Sequence, residues 1–145
     1  MAYLSRKTLA GDTFPYLLLH HSVGPHSINR PDDVQLVQFL INQAHASGPF
    51  PFELEEPLRM DGICGPKTKA AILSFQKARS SETHHQDGRV TATAEGMLGA
   101  HFKITTMWVL NISFNGGLRF ELPTEYPVGP VGNLLRQYVK RVVFA

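Results

Sequence analysis

Four residues stand where a chain could hold an anion: Asp61, Lys67, Thr68 and Lys69. They surround Gly65-Pro66, and a proline just inside a helix start gives up an N–H that has no intrahelical use. The amides of such a first turn are unpaired, and the helix dipole favours negative charge beside them. Lysines in that turn oppose the dipole's preference for acids. They read as an anion-holding pair, apt for a carboxylate ligand, or as solvated side chains with Asp61 bracing the turn.

The other residues that could do chemistry do not converge. Glu53, Glu55 and Glu56 lie in a stretch with Pro49, Pro51 and Pro57; they read as solvated loop acids, because nothing in the sequence marks a perturbed environment for a catalytic pair. Among seven histidines, His20-His21 and His84-His85 are adjacent pairs. Neighbours on a strand point to opposite faces, and no spacing such as His-Glu-x-x-His occurs, so no metal site is expected. Cys64, the one cysteine, fills an apolar slot between Ile63 and Gly65 and reads as core. Neither a Gly-x-Ser-x-Gly elbow nor a phosphate-cradling loop is present. The expectation is a protein that is not an enzyme and needs no cofactor.

Two amphipathic helices must position these residues. Pro31 suits a first helical position, with Asp32 and Asp33 in the first turn. Val34, Val37, Leu40, Ile41 and Ala44 then share a face that Leu36 and Phe39 widen, which predicts a helix over about 31–46. Asp61-Gly62 is a turn pair, and Thr68, Ala71, Ile72, Phe75 and Ala78 follow helical spacing, which predicts a second helix over about 66–79. Phe75 is expected in the core, and Gln76 is expected to satisfy buried backbone groups. Asp87-Gly88-Arg89-Val90 repeats the Asp-Gly-x-apolar pattern 26 residues after Asp61. A third, short helix is expected over about 92–99.

The stretch Asp-Gly-Ile-Cys-Gly-Pro-Lys-Thr…Ala-Ala…Phe-Gln resembles the central signature of the peptidoglycan-binding-like domain family, a three-helix module of bacterial and phage cell-wall enzymes. Ser22 to Asn42 is similar to the opening helix of one branch of that family. The resemblance spans about residues 22–100 and departs at Thr91-Ala92-Thr93-Ala94, where a second Gly-Pro-x-Thr commonly stands. It implies a non-catalytic module that holds peptidoglycan in a shallow groove near the start of the second helix, at Asp61, Lys67, Thr68 and Lys69. It also implies that Asn29, Asp33 and Gln38 brace the turn, with Gly62, Gly65, Pro66, Phe75 and Gln76 as structural motif positions.

The remainder frames that core. Residues 1–15 look irregular, and Tyr16 to His20 reads as a short buried strand. Lys103 to Phe114 is rich in β-branched and aromatic residues and reads as a strand, Asn115-Gly116-Gly117 as a hairpin turn, and Leu118 to Leu122 as the return strand. Asn133 to Phe144 reads as an amphipathic helix. The expected fold is mainly α with a β-hairpin (α+β): an N-terminal segment 1–21, the module 22–100, and a C-terminal hairpin and helix, 101–145, packed on it. A second reading is a structural or adaptor subunit, in a phage particle or secretion apparatus, that contacts another protein or its own copy through residues 101–145.

Apolar residues make up 43% of the 145 and charged residues 18%, which is globular composition. A net charge of +2 without a basic stripe argues against nucleic acid. No stretch approaches a membrane span, and no secretory signal is evident. Synthesis in the cytoplasm is expected, with action at the cell wall or in the periplasm after delivery or release.

Overall fold

The computed structural model describes residues 3–9, 12–48, 51–79, 86–92, 106–118 and 121–143. The described chain is mainly helical: strands β1 (Tyr3–Leu9) and β2 (Asp12–Leu18) precede helices α1 (Pro31–Ser47), α2 (Pro66–Ala78), α3 (Thr106–Gly117) and α4 (Pro130–Val143). No described helix is long and apolar enough to cross a membrane.

Helix α1 is the hub. Its predicted face is buried throughout, and Leu36 and Phe39 are buried with it, so this helix is enclosed on most sides rather than amphipathic. It packs chiefly against α3, with α2 and α4 on its other flanks. The core runs without a break from Leu17 and Leu19 through α1, α2 and α3 to Leu135, Tyr138 and Val139 of α4. In α2, Thr68, Ala71, Ile72 and Phe75 face inward as expected, while Ala78 is exposed. In α4, Leu135 and Tyr138 are buried and Arg136, Gln137, Lys140 and Arg141 lie outside, with Lys140 and Arg141 in the last turn where the dipole favours cations.

Two expectations fail. The stretch read as irregular, 1–15, holds an antiparallel hairpin, paired from Tyr3 opposite Leu18 to Leu9 opposite Asp12. Pro15 does not break it, because each strand of a two-stranded sheet has a free edge where a missing N–H is harmless. The expected C-terminal hairpin does not form. Residues 106–117 are helical, Asn115-Gly116-Gly117 ends that helix instead of turning a hairpin, and 121–122 lack regular structure. A β-branched and aromatic run reads as a strand, but a helix buried on most of its sides has the same composition: Met107, Val109, Leu110, Asn111, Ser113 and Phe114 are all buried. The helix expected over 92–99 lies, apart from Ala92, outside the described residues.

Candidate functional site

The turn before α2 is built by one side chain. Gln38, buried on α1, accepts from the Gly62 N–H at 3.1 Å and donates through Nε2 to the Ile63 carbonyl at 3.1 Å, Asp61 Oδ1 at 3.2 Å and Thr68 Oγ1 at 3.1 Å. Asp61 Oδ1 also accepts from the Ile63 N–H at 3.0 Å. Gly62 sits at φ +77°, and a Cβ there would stand 2.9 Å from the Pro31 carbonyl. Only glycine combines that dihedral with that approach. The Ile63 N–H, with help from Gln38, holds the Asp61 carboxyl below its ordinary range.

The same device recurs one helix later. Gln76 of α2 accepts from the Gly88 N–H at 2.8 Å and donates to the Arg89 carbonyl, Asp87 Oδ1 and Thr106 Oγ1; the Arg89 N–H returns to Asp87 Oδ1. Each brace joins a helix, an Asp-Gly turn and a threonine at the start of a described helix, Thr68 on α2 and Thr106 on α3.

Asn29 and Asp33 act elsewhere than at the α2 turn. Asn29, at φ +56°, bonds both the N–H and the carbonyl of Gly24. Gly24 lies so close to the second turn that a Cβ would fall 2.5 Å from the Gly88 carbonyl. The backbones of Val23 and Val90 pair directly at 3.0 and 2.7 Å. The buried Asp33 carboxylate accepts the His20 and His21 amides at 2.9 and 3.0 Å, tying the end of β2 to α1. His20 and His21 follow β2 rather than extend it, and their rings stack at 5.7 Å instead of facing apart. Among the described residues no three metal-binding side chains converge, and His84-His85 lie outside them.

Beside the first brace a groove of about 840 Å³ runs between the segment 53–59 and the first two turns of α2. Its outer wall has no secondary structure, so side chains of α1 and α2 hold it. Asn42 bonds both the N–H and the carbonyl of Leu58. Gln35 donates to the Met60 carbonyl and the Ser74 hydroxyl to that of Glu53. Phe52 meets Phe75 and His45 edge-on. Sequence reading passed over Gln35, Asn42, Phe52 and Ser74. The signal available was the proline-rich loop itself, whose backbone groups need partners that no ladder supplies.

Of the four residues expected to bind, Asp61, Lys67 and Thr68 line the groove and Lys69 does not. Lys69 is half-buried, near enough to the Cys64 thiol to oppose its shift, though burial still pushes that thiol up. The Thr68 hydroxyl is engaged by Gln38. Lys67 is exposed and forms an ion pair with Glu56, which raises the lysine and lowers the carboxylate. Gly65 caps α2 without a side-chain hydrogen bond and Pro66 opens it, as read.

Comparison with protein-family models, curated proteins and solved structures finds no match to this chain.

Proposed function

We propose that the chain is a non-catalytic binding module for bacterial cell-wall peptidoglycan, and that it belongs with the peptidoglycan-binding-like three-helix modules, with α1 and α2 as the first two of the three helices. The observation that carries this reading is the groove. The residues that carry the resemblance, from Asp61 to Thr68, form one wall of an open cleft, and Gln38 and Asn42 hold both sides of it in place. Such a fixed, shallow, partly apolar cleft suits an extended glycan-peptide polymer. A hydrolytic role fits the groove less well. A glycosidase needs one carboxyl raised to act as acid, and the shifted acids here, Glu56 and Asp61, are both lowered. The adaptor alternative puts its contact in residues 101–145, where the segment expected as a strand is helix α3 and packs largely inward.

The test is co-sedimentation of the purified protein with insoluble peptidoglycan sacculi, beside Ala70→Trp. Ala70 is exposed on α2 and lines the groove, so an indole there obstructs the cleft without touching the core. Saturable pelleting that falls by about tenfold in the variant, a loss of about 1.4 kcal/mol, is expected. Absence of pelleting by the folded protein would overturn the reading and turn attention to its oligomeric state.

A further inference from the structure

The groove carries the opposite charge to the one its lysines suggest. Four carboxylates line it, those of Glu53, Glu55, Glu56 and Asp61, against two cations, Arg59 and Lys67, which leaves an excess of two negative charges. Glu56 and Lys67 are occupied with each other. Asp61 is kept ionised by its bonds to the Ile63 N–H and Gln38. The second lysine that would have made an anion site, Lys69, stands outside the lining. The positive end of the α2 dipole, about half an elementary charge, does not reverse that excess. Between the acids the surface is apolar, from Leu54, Leu58, Ile63 and Ala71.

From this pairing of an apolar floor with an acid excess we infer that the groove selects an alkylammonium side chain. The methylene stem lies on the apolar floor and the charged head reaches the carboxylates, the division that lysine-like chains adopt at any such boundary. This rests on the peptidoglycan reading and deepens it. A stem peptide offers terminal carboxylates and, at its diamino acid, a free amine; the groove takes the amine. Recognition is then of the peptide rather than the glycan, and it weakens with salt because both partners are solvated charges.

Acetylation of the free amines of sacculi with acetic anhydride removes that charge and leaves the polymer otherwise intact. Pelleting is expected to fall by about fivefold on acetylated sacculi, and by a similar factor for the Glu53→Gln/Glu55→Gln double variant on untreated sacculi. Equal pelleting on native and acetylated sacculi would overturn the inference and leave wall binding standing. A second readout separates the two claims if native sacculi do not pellet the protein at all. Amide chemical shifts of Ala70 and Ser74 are followed during titration with Nα-acetyl-lysine methylamide, its norleucine counterpart and its glutamate counterpart. Shifts with lysine alone support an ammonium site without the wall. Shifts of equal size for lysine and norleucine, larger shifts for glutamate, or none for any of the three would overturn it.

Discussion

Carboxamide side chains do in this protein what β-ladders do elsewhere. Asn29, Asn42 and Asn111 each bond both the N–H and the carbonyl of one other residue: Gly24 within the same loop, and the more distant Leu58 and Leu17. A primary amide presents one acceptor and two donors at peptide-like spacing, so it can stand in for a missing strand. Asp61 shows how a charged group adds to that scheme. Its carboxylate serves the Ile63 N–H and Gln38, and its pKa lies below the ordinary 3.8. A depressed folded value means that the stability it contributes is complete above the unfolded pKa and is lost as pH falls through the folded one. Asp61→Asn keeps an acceptor but has no charge to lose. The stability difference between wild type and this variant, measured by urea unfolding, should therefore be constant from neutral pH down to about pH 5 and shrink below about pH 4. A difference that stays flat to the most acidic pH would mean that the carboxylate's charge adds nothing to the turn. The effect is small in any case, because Asp61 is exposed and solvent screens it.

At the scale of elements, the two glutamine braces set where α2 and α3 begin. Replacing Gln38 with Leu leaves the buried Gly62 N–H without its acceptor and removes a donor from the Ile63 carbonyl and the Thr68 hydroxyl. Orphaned buried groups cost about 1–3 kcal/mol each, so the variant should lose about 2–4 kcal/mol; Gln76→Leu should lose a comparable amount through Gly88 and Arg89. Hydrogen exchange tells the two apart: Gln38→Leu should deprotect the first turns of α2, and Gln76→Leu those of α3. Equal deprotection of both helices by either variant would show that the braces do not act locally. Helices α1, α2 and α4 were legible because proline starts and apolar periodicity are local signals that their packing does not override. The groove's inner side was legible for the same reason, since Asp61, Gly62 and Pro66 announce a turn and a helix start. Its outer wall was not, because segment 53–59 is held by Asn42, Gln35 and Ser74, and such pairings over 16 to 25 residues leave no periodic trace. Helix α3 failed for a different reason. Its polar residues Asn111 and Ser113 are buried, so no solvent-facing stripe marks its period, and the bonds that satisfy Asn111, to Leu17 of β2, span 94 residues and leave no local trace.

Across the whole molecule, a column of aromatic rings joins what the chain order separates. Tyr138 of α4 stacks on Phe114 of α3 at 5.4 Å, Phe114 meets Phe39 of α1 edge-on at 5.3 Å, and Phe39 stacks on Tyr126 at 5.7 Å. Arg136 covers Tyr126 from outside, 4.9 Å above its ring. The C-terminal helix is thereby part of the same core as α1, and the fold should unfold as one unit rather than shedding α4 first. Tyr138 makes this testable. Its side chain is fully buried, its hydroxyl donates to Asn115 Oδ1, and burial pushes its ionisation well above the ordinary 10.0. The folded protein therefore keeps this phenol neutral where the unfolded chain ionises it. The stability that the neutral phenol confers is complete below the unfolded pKa and is lost as pH rises from there toward the folded one. Tyr138→Phe cannot ionise. At neutral pH it should cost about 1 kcal/mol for the lost hydrogen bond, because Asn115 can turn to water. Above about pH 10 the wild type should lose its advantage and fall below the variant. If α4 belongs to the common core, that crossover will appear in the global transition, followed by far-UV circular dichroism and by near-UV signal alike. A separate early transition confined to near-UV signal would mean that α4 detaches on its own and that the ring column does not bind the molecule into one cooperative unit.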